Sequence, residues 1–452
     1  MATIKAQIPK GTRDFLPSEV IKRNFLFNII RNVFENFAYF PIETPSFELL
    51  ETLTGKYGEE GDRLLFKILN SGDFLSKAKS ETIDARDSNA LIREISKKGL
   101  RYDLTVPFAR FVVQHQNDLN FPFKRYQIQP VWRADRPQKG RYQEFYQCDV
   151  DVIGSESLMY ESELIQVYDQ VFKKVDLEVE IVLNNRKILA GLAEYAGIEP
   201  YFNIMTIAID KLDKIGSEGV MKEMIAKGIG SDKAEMVLSA LQHKDIAYFE
   251  EILAESQVGK KGVEEIQAVF EFMQGLDTHN KLVFDPGLAR GLNYYTGCIF
   301  EVKAVDGDIG SLGGGGRYDE LTEVFGRSGM SGVGISFGAE RIYDLMLEKD
   351  LFPENLEAVA KVLFVTFDEA SHKYAFRMST ALRAEGIPTD IYPEVAKMKK
   401  QMKFANSMQV PFVAVVGEEE RLNGQVALKN MLSGEQTKMT QNELISFFKT
   451  SK

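Results

Sequence analysis

The sequence predicts an α+β protein built around a β-hairpin, with a helical insertion and a small α/β domain at its end. Three observations carry this prediction. Alternating strand segments flank a basic loop within residues 124–154, helix-forming residues without a β-rich run fill residues 187–275, and strands alternate with helices after residue 360. The length of 452 residues suits two to four domains.

Composition is that of a soluble globular protein and argues against several classes of function. Hydrophobic residues make up 44% and charged residues 27%, and no apolar run approaches the length of a membrane span. Residues 1–9 lack the apolar centre of a signal peptide. We therefore expect a cytoplasmic protein without a membrane partner.

The numbers of cysteines, histidines and charged residues also bear on metal and nucleic-acid binding. Two cysteines and four scattered histidines provide no zinc-site spacing, so we expect no metal site built from them. The net charge of -11 argues against indiscriminate nucleic-acid binding, but it allows a local basic surface.

The N-terminal segment predicts a loop, a long helix and an edge strand. Residues 11–17 carry turn residues at both ends, and apolar residues between positions 20 and 37 then recur at helical spacing. Pro41 and Pro45 confine the next stretch to a sheet edge or a partner contact. Residues 54–99 are polar and rich in glycine, and they predict a loop-rich insertion to which the sequence assigns no role.

A short segment after this insertion offers two acceptors for a cation. Arg101, Asp103 and Thr105 are predicted to share one face of a short strand, and the last two suit a primary ammonium group. The alternative is that Asp103 and Thr105 cap a helix that begins after Pro107. The local pattern favours the cap.

The hairpin predicts a site for a ligand of mixed charge. Its second arm alternates, so that Gln147, Asp149 and Asp151 lie on one sheet surface and apolar residues on the other. The loop between the arms is cationic and carries Arg133, Arg136, Lys139 and Arg141. A half-exposed strand with a solvated basic turn explains the same pattern, and this segment alone favours that simpler alternative.

Glycine-rich strands follow the helical segment. Residues 282–302 predict two strands that flank a turn with Arg290 and a tyrosine pair. The four glycines 313–316 allow close packing against backbone or a ligand ring, and a flexible hairpin is the alternative. The strand after them leads into a helix whose first turn carries Arg341, where a cation opposes the helix dipole and suggests an anionic ligand. The glycine spacing matches neither a dinucleotide-binding fingerprint nor a P-loop.

The C-terminal segment predicts a separate α/β domain with a largely parallel sheet. From residue 361 onward it has 13 basic and 10 acidic side chains, so it is the basic part of an acidic protein. Lysines at positions 397, 399, 400 and 403 fall on one predicted helix. A solvated face and a nucleic-acid contact both explain them.

Five segments resemble class II aminoacyl-tRNA synthetases, and the histidyl-tRNA synthetase family in particular, and they follow one another along the chain in the order found in that family. Residues 11–17 with the helix after them resemble the dimer-forming first motif of the class, residues 132–142 the second and residues 334–341 the third. Residues 288–295 and 314–319 resemble the histidine-specific segments of that family. The resemblance covers nearly the whole chain.

The resemblance implies a domain organisation and an activity. An antiparallel catalytic domain would comprise residues 1–186 and 276–346, a helical insertion residues 187–275, and an anticodon-binding domain residues 360–452. The protein would be a homodimer that uses ATP with Mg²⁺ to form histidyl-adenylate from L-histidine. It would then transfer histidine to tRNA(His) and release AMP and diphosphate.

The resemblance also implies which residues bind histidine. These residues would be Asp103, Thr105, Gln147, Asp151, Tyr294 and Tyr295. The first two would hold the α-ammonium group, Gln147 the backbone groups of the amino acid, and the last three the imidazole. Asp151 lies four residues along the strand from Gln147, roughly 13 Å away, so this row can span an amino acid.

The remaining roles implied by the resemblance concern ATP. Arg133 would bind the α-phosphate, Arg136 the outer phosphates or the tRNA end, and Arg341 the γ-phosphate. Arg290 would stabilise charge between the histidine carboxylate and the α-phosphate, so that Arg290 and Arg133 carry the catalysis. Asn293 stands where many members of the family have aspartate.

Three alternatives stay open at this point. A non-catalytic paralogue that regulates ATP phosphoribosyltransferase would lack the C-terminal domain and the ATP-binding arginines. A synthetase for threonine, proline or glycine would share the class motifs. A nucleic-acid-binding module would have no ATP-dependent activity.

Overall fold

The computed structural model describes residues 5–55, 58–138, 140–289, 294–307, 309–353, 356 and 359–450. Lys139, Arg290 and Asn293, which carry sequence predictions, lie outside these residues. The chain divides into two compact units, Met1–Phe15 with Arg23–Leu351, and Leu16–Lys22 with Phe352–Lys452.

Two sheets and fourteen α-helices occupy the described chain up to residue 351. The strands are β1 (Phe40–Pro41), β2 (Phe47–Leu49), β3 (Lys67–Ile68), β4 (Lys98–Leu100), β5 (Phe123–Trp132), β6 (Glu144–Ile153), β7 (Val179–Asn185), β8 (Lys281–Phe284), β9 (Cys298–Ala304), β10 (Gly313–Tyr318) and β11 (Gly332–Gly338). The helices are α1 (Pro17–Asn36), α2 (Leu50–Leu53), α3 (Gly58–Arg63), α4 (Ser80–Asp84), α5 (Ser88–Ile95), α6 (Thr105–Gln114), α7 (Met159–Lys174), α8 (Arg186–Ala196), α9 (Phe202–Ile209), α10 (Leu212–Ala226), α11 (Ser231–Ala240), α12 (Ile246–Ile252), α13 (Gln257–Met273) and α14 (Ala339–Glu348). Two 3₁₀ turns, Glu199–Tyr201 and Glu323–Phe325, complete the set.

The larger sheet has eight strands in the order β1-β5-β6-β11-β10-β9-β7-β8. Five of its seven described pairings are antiparallel, and the two parallel pairs, β1 with β5 and β7 with β8, lie at the edges. The predicted α+β class with an antiparallel central sheet is therefore confirmed. The proline-containing strand β1 lies at the edge, as predicted for a segment that lacks N–H donors.

One face of this sheet is closed by helices. Phe337 of β11 packs against Tyr168 and Phe172 of α7, with ring centroids 4.8 and 5.8 Å away, and against Phe34 of α1 at 5.8 Å. Cys148, Val150 and Val152 of β6 pair with Phe337 and its same-face neighbours in β11, and they are buried. The alternation of β6 therefore directs its polar residues to the opposite face.

The segment around Asp103 forms the helix cap that the local pattern favours, and not a strand. Strand β4 ends at Leu100 and α6 begins at Thr105, so Asp103 and Thr105 lie at a helix N-terminus. Asp103 Oδ1 accepts a hydrogen bond from the backbone N of Val106 at 3.2 Å, which is the capping alternative. The predicted start after Pro107 was too late, because proline lacks only an N–H that the first helical turn leaves unused.

The glycine-rich strands take up central positions in the large sheet. The glycines 313–316 belong to β10, a central strand between β9 and β11. Gly315 and Gly316 lie close to the backbone of the two neighbouring strands, so the predicted close packing is confirmed and the flexible-hairpin alternative is wrong. Strands β8 and β9 are not neighbours, because β7 lies between them. Residues 187–275 contain helices α8 to α13 and no strand. Gly191 and Gly259 allow α8 and α13 to touch, since a Cβ on Gly191 would overlap the backbone of Gly259.

The second unit has a five-stranded sheet with helices. Its elements are β12 (Val362–Thr366), α15 (Glu369–Ala384), β13 (Thr389–Ile391), α16 (Met398–Ser407), β14 (Phe412–Val416), α17 (Glu418–Leu422), β15 (Gln425–Asn430), β16 (Gln436–Thr440) and α18 (Gln441–Thr450). In the order β13-β12-β14-β15-β16, the first three strands are parallel and the last two antiparallel. The sheet is thus less parallel than predicted. The missed strand β16 is polar and half-exposed at an edge, so it has no hydrophobic pattern.

None of the helices in the described parts of the chain has both the length and the apolar character that crossing a bilayer requires.

Candidate active site

A cavity of about 1300 Å³ lies over the face of the large sheet that α1 and α7 leave open. Eight of the ten candidate residues line it, namely Asp103, Thr105, Arg133, Gln147, Asp151, Tyr294, Tyr295 and Arg341. Arg136 is exposed on the hairpin loop and is not part of the lining, and Arg290 is outside the described residues.

The floor of the cavity combines a polar strand with glycine-containing neighbours. Gln147, Asp149 and Asp151 of β6 stand opposite Gly338, Ser336 and Gly334 of β11. A Cβ on Gly334 would overlap the Asp151 carboxylate. The absence of a side chain there lets Asp151 lie over the neighbouring strand, beneath the ligand space.

Asp151 is buried between a cation and a phenol. Arg125 of β5 is its register partner, and Arg125 Nη2 lies 2.7 Å from Asp151 Oδ2. The Tyr318 hydroxyl donates to Oδ1 at 2.8 Å. Burial raises the pKa of Asp151, while Arg125 and the bond from Tyr318 oppose that increase.

Asp149 is the most perturbed carboxyl group of the floor. Burial raises the pKa of Asp149 to about 7, and the nearby Asp151 adds to the increase. Arg125 and a hydrogen bond from Ser336 act in the opposite direction. One buried guanidinium thus serves two buried carboxyl groups, so the floor favours a ligand that brings positive charge.

The wall above the floor joins Asp103 to the tyrosine pair. The Tyr294 hydroxyl donates to Asp103 Oδ2 at 3.2 Å, and the rings of Tyr294 and Tyr295 meet edge to face at 4.9 Å. A carboxylate oxygen can accept more than one hydrogen bond, so capping α6 leaves Asp103 able to accept from a cation. Burial raises the pKa of Tyr295, which keeps its phenol neutral.

Two arginines occupy the other end of the cavity. Arg133 Nε donates to the Tyr102 carbonyl at 3.0 Å, and its guanidinium lies over the Tyr102 ring at 4.3 Å. Arg341 Nε donates to the Gly140 carbonyl at 3.0 Å and its Nη1 to the Ser311 carbonyl at 2.7 Å. Guanidinium groups anchored in this way suit the recognition of phosphate oxygens.

Comparison with known proteins identifies the family. The family model "Histidyl-tRNA synthetase" matches residues 76–342, more than half of the chain. The chain belongs to the histidyl-tRNA synthetase family. A second model, "Anticodon binding domain", matches residues 361–451.

Similar proteins agree with this membership of the histidyl-tRNA synthetase family. A histidine–tRNA ligase of Phocaeicola vulgatus is 53% identical over 98% of this chain and 99% of its own length. A histidine–tRNA ligase of Porphyromonas gingivalis is 53% identical over 96% of each chain. The crystal structure of the histidyl-tRNA synthetase from a Nostoc species has a TM-score of 0.83 and 28% identity over 99% of each chain.

Sequence reasoning did not assign roles to several residues of this histidyl-tRNA synthetase site. Arg125, Tyr318 and Glu301 are buried beside or within the cavity. Period-two alternation places Arg125 on a predictable face of β5, but only the register shows that this face meets Asp151. Glu301 has no local motif, and its connection to the site runs through the Ser311 hydroxyl, which donates to it.

Proposed function

We propose that this chain activates L-histidine with ATP and transfers it to tRNA(His), the activity of the histidine–tRNA ligase family to which it belongs. The observation that carries the proposal is one cavity with carboxylates on its floor and anchored arginines at its end. This arrangement suits a cationic amino acid next to a polyphosphate.

Histidine would lie along the polar row of β6. Asp103 and Thr105 take its α-ammonium group, and Gln147 contacts its backbone groups. Asp151, Tyr294 and Tyr295 take the imidazole. The buried carboxylate and the phenols favour a side-chain ring that forms hydrogen bonds. An amino acid whose side chain cannot form them leaves these groups unpaired, so its kcat/KM is lower than that of histidine by a factor of about 10⁴–10⁵.

ATP would lie with its phosphates among the arginines. Arg133 binds the α-phosphate and Arg341 the γ-phosphate, while Arg136 reaches outer phosphates or the tRNA end. An oxygen of the histidine carboxylate attacks the α-phosphorus, and the bond to the departing diphosphate breaks. Because this step needs little proton transfer, its acceleration comes from positioning and from charge stabilisation, in which Arg133 and Arg290 take the catalytic roles.

Mg²⁺ would accompany ATP as its phosphate-bound ion. Mg²⁺ is usually held by one or two carboxylates together with phosphates and water. Glu301 fits that requirement, because its buried carboxylate lines the cavity and Ser311 links it to Arg341. Bound there, the ion would neutralise charge on the departing diphosphate.

The tRNA would contact both the helical segment and the C-terminal unit. Arg186, Asn203 and Lys211 line the cavity on the helical side, which suits the phosphates of an acceptor end. The match of residues 361–451 to an anticodon-binding domain supports recognition of the anticodon by the second unit. That same match weighs against the regulatory paralogue, which lacks the domain.

The working form would be a cytoplasmic homodimer. Its support is the exposed apolar surface near the first class motif, where Phe40, Phe47 and Leu49 are 64%, 48% and 52% exposed. Strand β1 is also a free sheet edge. Sedimentation equilibrium tests this proposal, since a monomer at micromolar concentration contradicts it.

ATP–diphosphate exchange with each amino acid in turn tests the activity. We expect exchange with histidine and none with proline, threonine or glycine. Exchange driven by proline but not histidine would overturn the amino-acid assignment, and absence of any exchange would favour a binding module. Arg290→Ala should lose exchange while still binding tRNA(His), which filter binding measures separately.

A further inference from the structure

Arg125 is a fully buried cation outside the set of residues assigned to the substrates. It lies beneath the cavity on β5, and its Cζ is 4.2 Å from the centroid of the Phe108 ring. Its Nε, Nη1 and Nη2 donate no hydrogen bond to any of the described protein atoms. Burying a guanidinium without hydrogen bonds is costly, so its pairing with Asp151 requires an explanation.

The two oxygens of Asp151 are held differently. Oδ1 accepts from the Tyr318 hydroxyl at 2.8 Å, which fixes the plane of the carboxylate. Oδ2 lies 2.7 Å from Arg125 Nη2, yet the direction of that contact does not make it a hydrogen bond. Oδ2 therefore has a cation beside it and still has its hydrogen-bonding capacity.

We infer that Arg125 is a positioning residue that keeps Asp151 ionised, so that its Oδ2 accepts a hydrogen bond from an N–H of the substrate imidazole. This inference rests on the proposed function, because it assumes that Asp151 meets the imidazole. It adds a determinant of specificity. An ionised Asp151 selects rings that donate a hydrogen bond through an N–H group. A protonated Asp151 would instead select rings with a nitrogen that accepts a hydrogen bond.

The surroundings of Asp151 contain no second cation that could replace Arg125 among the described residues. The charged and titratable groups that act on Asp151 or feel its charge are Arg125 on β5, Asp149 on β6, Tyr318 on β10, Asp103 before α6, and Tyr295 and Tyr39. Every one except Arg125 is a carboxyl group or a phenol. Removal of Arg125 would therefore leave Asp151 more readily protonated at neutral pH.

The test compares Arg125→Met with Arg125→Lys in histidine-dependent ATP–diphosphate exchange. For Arg125→Met we expect the KM for histidine to rise about 10- to 100-fold near neutral pH, with the KM for ATP unchanged within about twofold. The KM for histidine should recover as pH increases from about 6 to about 9, because Asp151 then ionises without its cation. Arg125→Lys should restore most of the affinity.

Discrimination between histidine and a ring isostere provides a second measurement, which would not change if Arg125 had only a structural role. Thiazolylalanine resembles histidine but its ring has no N–H. Wild type should reject it strongly, and Arg125→Met should narrow the ratio of kcat/KM between histidine and thiazolylalanine by about tenfold or more, because a protonated Asp151 can donate to the thiazole nitrogen. An unchanged ratio together with an unchanged KM for histidine overturns the inference.

A double variant keeps the test decisive if Arg125→Met fails to fold. Arg125→Met with Asp151→Asn removes both charges, which avoids an uncompensated buried ion. Its KM for histidine should equal that of Asp151→Asn alone, and a further increase contradicts the inference. Failure of the proposed function looks different, since wild type would then show no exchange with histidine, or Asp151→Asn would keep the wild-type KM.

Discussion

The guanidinium of Arg13 lies over the ring of Tyr142, with 3.7 Å between Cζ and the ring centroid. The same guanidinium donates to the Tyr142 hydroxyl at 2.9 Å and pairs with Glu340 and with Asp344 of α14. The N-terminal loop thus holds the basic hairpin against the helix that carries Arg341. Arg13 is thus a clamp between the hairpin loop and α14, the two elements that carry the arginines of the proposed phosphate site.

Replacing Arg13 should loosen this clamp without touching the histidine floor. For Arg13→Gln we expect the KM for ATP to rise about 10-fold, because hairpin and helix no longer hold Arg341 in place, while the KM for histidine stays near wild type. Exchange kinetics with each substrate varied in turn provide the measurement. Arg31→Gln is a matched control, since Arg31 hydrogen-bonds Asn28 on the exposed side of α1. Equal effects of the two variants would contradict the role.

Arg341 should be far less replaceable than a surface arginine. Arg341→Ala is expected to lower the exchange rate by about 10²–10³, the usual cost of removing one preorganised donor from such a site. Arg341→Lys should recover only part of the loss, because lysine cannot reach two carbonyls and a phosphate from one rigid group. Arg327→Ala, at an exposed position before β11, serves as control. A wild-type rate in Arg341→Ala would remove Arg341 from the mechanism.

Gly334 should tolerate no side chain. In Gly334→Ala the new methyl group would displace the Asp151 carboxylate, because the two occupy the same space over β11. We expect the KM for histidine to rise at least about 10-fold and the thermal unfolding temperature to fall by several degrees. Exchange kinetics and thermal unfolding measure the two effects. A normal KM for histidine would mean that Asp151 does not face the amino acid.

Asp149 should weaken the fold as pH rises. Its folded pKa, about 7, is above that of an unfolded aspartate, so its favourable contribution is present in acid and is lost as pH increases through about 7. Asp149→Asn removes this dependence. The variant should therefore gain stability relative to wild type between about pH 4 and about pH 8, by as much as a few kcal/mol. Thermal unfolding across this range tests the sign, with Asp277→Asn on an exposed loop as control.

Local pattern was sufficient for the parts of the fold that depend on periodicity. The alternation of β6 correctly placed Gln147, Asp149 and Asp151 on one face, and the five ordered segments correctly indicated the family. At Asp103 the local pattern correctly favoured a helix cap over a strand, because a short polar segment before a proline suits a helix start, but it placed the start of α6 too late.

Register is the information that a single sequence lacks. Nothing near Arg125 in the chain indicates that it meets Asp151, since the two are joined by the pairing of β5 and β6. The central position of β10 was missed for a related reason. Four glycines have no hydrophobic pattern, and their place in the sheet depends on the side chains of neighbouring strands that lie over them.

The bare floor has a practical consequence for anyone who wishes to change the amino acid that is charged. Gly334 and Gly316 have no side chains, and Asp151 and Tyr295 already occupy the space over them. Since no residue is smaller than glycine, substitutions at these two positions cannot enlarge the cavity for a bulkier substrate. Redesign would have to replace Tyr294 or Tyr295 in the cavity wall by smaller residues, and it would thereby remove groups proposed to recognise the imidazole.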